Sequence, residues 1–328
     1  MRRMDRIGFV FPGQGSQRVG MGLDLAGRYP ELIDTYYTAA DEILGLPLSR
    51  LCWDGPAEAL RDTAVTQPAV FLTSLCTWHA LRAEGVEPDV VAGHSLGEYT
   101  ALVAAGVLDW TDALRLVRLR GRLMAGVNER VPGAMAAVLG LPLADVESIC
   151  ALAATGSGQV VEIANDNEPA QVVVSGQAGA VGLVVEAALA AGARRAVPLE
   201  VGAPFHCSLM AEIEEEFAAA LDAVEFRDPA GVDLVSSVTA APVTGGAQAR
   251  RVLRRQLTGR VRWTDTVGRM SADGVNRFVE AGPGKVLGGL CRRIAPGAQV
   301  HATYDARQFA SALGALPLAA DYSGHSGS

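Results

Sequence analysis

The pentapeptide Gly93-His94-Ser95-Leu96-Gly97 constrains this chain more than any other feature. It follows the apolar run Val90-Val91-Ala92 and leads into Glu98-Tyr99-Thr100-Ala101-Leu102-Val103. That order reads strand, sharp turn, helix. A serine at such a turn has strained backbone angles, and only small flanking residues leave room for them. Its hydroxyl stands at the C-terminal edge of a sheet and at the N-terminus of a helix. There the helix dipole and free backbone N–H groups can stabilise an oxyanion. The bland alternative is a tight turn carrying a solvated serine. The strand before and the helix after favour a nucleophile.

The rest of the chain repeats the alternation. Strands are predicted at 7–11 and 90–92, and helices at 31–44, 65–84 and 110–127. This βαβα order argues an α/β fold with a mainly parallel sheet. From 135 to 199 the plan changes to β-α-β-β-α-β, with strands at 135–139, 160–164, 171–175 and 195–199 and helices at 143–154 and 178–191. That is the split βαβ plan of a ferredoxin-like unit. The predicted division is a large α/β domain over 1–131 and 201–310, a ferredoxin-like insert over 132–200, and a frayed tail over 311–328 rich in Ala, Gly and Ser. In the returning part, strands are predicted at 232–237 and 277–280, and helices at 210–223, 247–257, 264–272 and 286–294. The insert's sheet is expected to close over the serine and form one wall of a cleft.

Composition removes several function classes. The chain has 328 residues, 49% of them hydrophobic, enough for a sizeable core. A net charge of −8 argues against nucleic-acid binding. The five cysteines are scattered, with no C-x-x-C and no cysteine–histidine cluster at metal spacing, so no metal site and a reduced, cytoplasmic protein are expected. The basic N-terminus runs into a short apolar stretch that stops at Pro12-Gly13, which reads as a first strand rather than a signal peptide. No apolar stretch reaches spanning length without Gly, Pro or charge, so no membrane span is expected.

A serine nucleophile needs a base, and there are only five histidines. His94 adjoins the serine in sequence, so its side chain is expected to point away. His79 lies among apolar residues of a helix and reads as structural. His301 and His325 fall near the C-terminus. His206, in the small-residue loop Gly202-Ala203-Pro204-Phe205-His206, remains as base or as a capping histidine. No acidic residue stands out to orient its ring.

The helix from Thr111 carries four arginines. At 3.6 residues per turn, Arg115, Arg118 and Arg122 oppose the apolar stripe, while Arg120 falls inside it, three after Val117 and four before Met124. An arginine so placed must meet an anion or carbonyls. It is either a salt bridge to an internal acid or a fork that grips a substrate carboxylate. The glycines of Gly13-Gln14-Gly15 to Gly20 miss dinucleotide-fingerprint spacing, and the loop reads better as a source of backbone N–H groups for an oxyanion. Gly282-Pro283-Gly284-Lys285 lacks the pattern of a phosphate-binding loop and reads as a turn.

Taken in order, these segments resemble those of malonyl-CoA:acyl-carrier-protein transacylases of fatty-acid and polyketide synthesis. The resemblance spans Phe9 to about Ile294 and rests on Phe11 to Gln17, Gly93 to Glu98, Arg120-Gly121, Asn165 and Asn167 with Gln171 to Gly176, Pro204-Phe205-His206, and Glu280 to Gly284. It implies an α/β-hydrolase-like core with a ferredoxin-like insert. It implies Ser95 as nucleophile, His206 as general base and acid, and the backbone N–H groups of Gln14 and Leu96 as oxyanion hole. Arg120 would bind the malonyl carboxylate, with Phe205 and Asn165 also at the substrate. The family orients its histidine through a main-chain carbonyl, which falls at Gln256 here.

Leu96 and Phe205 look like the malonyl-selective version; Gly202, where relatives often have serine, is a departure that leaves substrate breadth open. No metal or redox cofactor is implied, coenzyme A thioester being a substrate. The partners implied are malonyl-CoA and an acyl carrier protein, with the enzyme a cytoplasmic monomer. Carrier proteins are usually acidic, so Arg251, Arg254, Arg255, Arg260, Arg262, Arg292 and Arg293 are candidates for a docking patch. The competing readings are a carrier-protein thioester hydrolase, a transferase for another carboxylated extender unit, and a non-catalytic scaffold.

Overall fold

The computed structural model describes residues 6–318. The strands are β1 (Arg6–Phe11), β2 (Val90–Gly93), β3 (Gly133–Leu139), β4 (Val161–Glu168), β5 (Gln171–Gln177), β6 (Arg195–Pro198), β7 (Asp233–Val235), β8 (Pro242–Val243), β9 (Val261–Arg262), β10 (Val275–Glu280) and β11 (Gln299–Ala302). They form two sheets. The first has six strands in the order β11-β10-β1-β2-β7-β8. Its pairs are parallel except β7 with β8. Central strands β1 and β2 are buried almost throughout, because helices cover both faces of a parallel sheet and leave no solvated side.

The second sheet runs β6-β3-β5-β4-β9. Its first four strands come from the β-α-β-β-α-β segment, pair antiparallel, and bury their own cluster with the helices Leu143–Ser157 and Ala178–Ala190. The fifth strand, β9, belongs to the part of the chain that follows. It pairs parallel with β4 through Asn165–Val261 and Asp166–Arg262, and so stitches the two sheets' chain segments together. The fold is thus α/β, with a parallel sheet and a smaller antiparallel one.

Several expectations need correction. The predicted tail begins inside a helix, Ala306–Ala315, whose Phe309 and Ala312 are buried in the main core. Residues 319–328 of that tail, and His325 with them, lie outside the described residues. The helix predicted over 210–223 is a 3₁₀ turn, Ser208–Ile213, followed by the helix Glu214–Asp222. The helix predicted over 31–44 opens as a π-helical turn, Ile33–Thr38. No helix among the described residues is long and apolar enough to cross a membrane.

Candidate active site

Ser95 sits between β2 and the helix Gly97–Ala104, with φ +52°. A non-glycine residue in that region is strained, and the surroundings must hold it there. The flanking glycines show how. A Cβ on Gly93 would lie 2.0 Å from the Gly97 carbonyl carbon, and one on Gly97 would lie 2.0 Å from the Phe11 oxygen. The elbow is therefore wedged against the end of β1. A Cβ on Gly13 would meet the His94 carbonyl oxygen at 2.6 Å, so the loop after β1 also lies on the elbow.

His206 comes from the loop that returns from β6, also at positive φ, +58°. Its Nε2 is 2.7 Å from Ser95 Oγ. Its Nδ1 faces the carbonyl oxygens of Gln256 at 2.9 Å and Gly259 at 3.2 Å. Both can only accept, so Nδ1 carries the proton and donates. Burial, with the Arg120 cation second, pushes the His206 pKa down to about 3, so the imidazole is neutral. Nε2 then has a free lone pair, and the Ser95 hydroxyl donates to it.

Arg120 is 2% exposed. Its Nη1 donates to Gln67 Oε1 at 2.9 Å, and its Nη2 to Ser95 Oγ and to Gln256 Oε1, each at 3.1 Å. Of the two readings left open above, the internal salt bridge is absent: no carboxylate among the described residues lies within ion-pair distance of its head group. The Nε of Arg120 has no hydrogen-bond partner. Burial lowers the Arg120 pKa, with the neighbouring Tyr99 first and Glu98 second opposing the shift.

Between the two sheets lies a cavity of about 440 Å³. Gln14, His94 and Ser95 line it from the first sheet's side, Asn165 from β4, and Phe205 and His206 from the returning loop. The backbone N–H groups of Gln14 and Leu96 make no hydrogen bond among the described residues. His94 points away from Ser95, as expected: its Nε2 is 2.8 Å from Asn167 Oδ1. His79 bonds the Tyr36 hydroxyl at 2.6 Å, which makes it structural.

Acyl transferase domains match residues 8–293 of the chain. The malonyl CoA-acyl carrier protein transacylase of Haemophilus influenzae is 43% identical over 308 residues, 93% of this chain and 97% of its own length. That of Escherichia coli strain K12 is 43% identical over 311 residues, 94% of this chain and 99% of its own. The chain belongs to the malonyl-CoA:acyl-carrier-protein transacylase family. Among solved structures of such transacylases, an acyl carrier protein S-malonyltransferase of Vibrio cholerae superposes with a TM-score of 0.88 at 43% identity, over 94% of this chain and 99% of its own. A malonyl-transacylase solved in complex with its type II polyketide synthase acyl-carrier protein reaches 0.89 at 40% identity, again over 94% and 99%.

In this transacylase, three residues of the site escaped the sequence reading. Gln67 interrupts an apolar helix, Thr63–Ala83, and holds Arg120. Glu98 is 2% exposed and accepts from Ser237 Oγ at 2.9 Å and Gln256 Nε2 at 2.7 Å. Burial raises its carboxyl pKa. The Gln256 side chain, as distinct from its carbonyl, bonds Arg120, Glu98 and the Ser95 carbonyl. The helical-phase argument that singled out Arg120 applies equally to Gln67, a buried amide among apolar neighbours.

Arg118 also departs from expectation. It is half-buried and donates to the Ala64 carbonyl. Of the seven arginines considered for docking, Arg254, Arg260, Arg262 and Arg293 form ion pairs with Glu214, Glu147, Asp265 and Glu168, and Arg292 donates to the Val300 carbonyl. Arg251 and Arg255 make no such bond among the described residues.

Proposed function

We propose that this chain moves a malonyl group from malonyl-CoA to the phosphopantetheine thiol of an acyl carrier protein, through an acyl-serine at Ser95. One observation carries the reading: a single oxygen, Ser95 Oγ, lies 2.7 Å from a neutral imidazole and 3.1 Å from a buried guanidinium. His206 takes the hydroxyl proton as Oγ attacks the thioester carbonyl. The backbone N–H groups of Gln14 and Leu96 receive the developing oxyanion, such a donor being worth roughly 10²–10³ in rate. The tetrahedral adduct collapses, the C–S bond breaks, and the thiolate of coenzyme A takes the proton from His206. A carrier-protein thiol then enters, loses its proton to His206, attacks the acyl-serine, and leaves as the malonyl thioester while Ser95 recovers its hydrogen. The scheme is ping-pong.

Arg120 binds the malonyl carboxylate. A malonyl group on Oγ ends two carbons beyond the ester carbonyl, close to a guanidinium already touching that oxygen. Pairing also assists the base. His206 must become an imidazolium beside a cation, and a carboxylate on Arg120 removes most of that repulsion. Acyl groups without the carboxylate forgo both gains, so selection acts on rate as well as binding. Phe205 and Asn165 shape the cavity around the acyl thioester.

Residues 132–200 act as an inserted wall carried by the α/β domain on either side of them, which runs on through the helix Ala306–Ala315. The site is complete within one chain, which supports action as a monomer. All five cysteines are free and buried, which fits a reducing cytoplasm. The pathway served is fatty-acid or polyketide synthesis.

Brief exposure to malonyl-CoA, read by intact mass, should add one malonyl group to the protein and none to Ser95→Ala. An equal adduct on the variant would sink the assignment. Addition of carrier protein should then clear the adduct as malonyl carrier. Fast release of free malonate that carrier protein does not suppress would instead point to a hydrolase.

A further inference from the structure

Gln256 ends the helix Gly246–Gln256 and is wholly buried. Its main chain and its side chain meet different partners. The carbonyl receives the His206 Nδ1 hydrogen bond at 2.9 Å. The side-chain Nε2 donates to the Ser95 carbonyl at 3.0 Å and to Glu98 Oε2 at 2.7 Å. The Oε1 accepts from Arg120 Nη2 at 3.1 Å. The amide's orientation is forced, because a carbonyl and a carboxylate can only accept and a guanidinium can only donate.

The consequence concerns charge. Among the described residues, the side-chain acceptors on the Arg120 head group are Gln67 Oε1, Gln256 Oε1 and Ser95 Oγ, all neutral. A buried carboxylate, Glu98, lies just one residue away, on the far side of the same amide. An arginine paired with an internal carboxylate has its charge spent, and a substrate anion would have to displace that partner. An arginine held by neutral acceptors keeps its charge for the substrate.

We infer that the Gln256 side chain is a specificity-determining positioning residue, a neutral spacer that aims Arg120 at Ser95 while standing between Arg120 and the Glu98 carboxylate. The inference rests on the reading of Ser95 and Arg120 given above. It is separate from the orientation of His206, which the backbone carbonyl performs and a side-chain substitution leaves in place.

Two variants test it. Gln256→Glu places a carboxylate on Arg120 itself, an internal rival of the malonyl group. Gln256→Met keeps the volume and removes both the acceptor for Arg120 and the donor to Glu98 and the Ser95 carbonyl. Three rates are compared in each: malonyl-CoA acylation, acetyl-CoA acylation, and labelling of Ser95 by the neutral reagent phenylmethanesulfonyl fluoride, which needs only Ser95 and His206 and reports a folded dyad.

For Gln256→Glu, malonyl kcat/KM should fall at least about tenfold, mainly through KM, and several-fold more than sulfonyl fluoride labelling falls. The malonyl-to-acetyl ratio should fall several-fold in Gln256→Met. Unchanged malonyl KM in Gln256→Glu would overturn the inference. So would a parallel fall of all three rates in both variants, which a merely structural role predicts. A wild-type protein that gains no malonyl adduct in the same assay would instead defeat the proposed function.

Discussion

Ser95 Oγ receives a hydrogen bond from Arg120 and gives one to His206, so a cation sits two contacts from the base. Burial and that cation hold the imidazole near pKa 3, far below its ordinary 6.5. The acid limb of malonyl-CoA kcat/KM should therefore lie below pH 5, since this profile reports the free enzyme. In Arg120→Ala, followed with acetyl-CoA, the limb should move upward. A wild-type limb near 6.5, or one unmoved by the substitution, would contradict this electrostatic account. The same shift bears on stability. His206 is depressed in the folded state, so its contribution is whole above 6.5 and is lost as pH falls from there toward 3.

At this scale Ser95, His206 and Arg120 were legible because each breaks a local rule: a strained turn, a loop histidine, a charge in an apolar stripe. Glu98 and the Gln256 side chain were not. Each obeys its local pattern, and their partners lie 158 and 136 positions away in the chain.

Elements were legible where apolar period and length agreed, and blurred where polar residues were buried. Strand β4 runs Val161–Glu168, four residues beyond the predicted end at 164. Its extension Asn165-Asp166-Asn167-Glu168 is buried yet polar, because it lines the cavity, pairs with β9 and holds His94. No hydropathy pattern marks such a strand. The helix Thr63–Ala83 continues through Pro68, which cannot donate to the Ala64 carbonyl four residues back. Arg118 supplies the missing donor from the neighbouring helix, Trp110–Arg130, and for that reason leaves the solvated face assigned to it.

The elbow allows a test at the level of its elements. In Gly97→Ala the new methyl would meet the Phe11 oxygen, forcing the nucleophile helix off β1 and the oxyanion loop. Such overpacking costs about 1–3 kcal/mol. Thermal unfolding should show that loss, and Ser95 acylation should fall by more than the loss of folded protein explains. Acylation at the normal rate would show that the helix and the loop tolerate separation.

For the whole molecule, the cavity exists only because two sheets face each other and one chain crosses between them four times: into β3, back through the His206 loop, across to β9, and back again into β10. The C-terminal helix belongs to this assembly. Phe309, Ala312 and Leu316 are all buried in the main core. Truncation after Ala310 should therefore lower stability by about 2–5 kcal/mol, read as an earlier urea midpoint. A midpoint equal to that of the full chain would return these residues to the status of a frayed tail.

The order of residues along the chain determined the α/β class, the split βαβ segment, the strained serine, the loop histidine and the out-of-phase arginine, since periodicity, turn sterics and helical phase act over a few residues. Tertiary structure alone decided that the guanidinium meets neutral acceptors, that Glu98 stays one amide away from it, that β9 completes the second sheet, and that the last helix packs. Those outcomes depend on which distant backbones come within 3 Å, and a hydrogen bond between residues more than a hundred positions apart leaves no local trace in either partner.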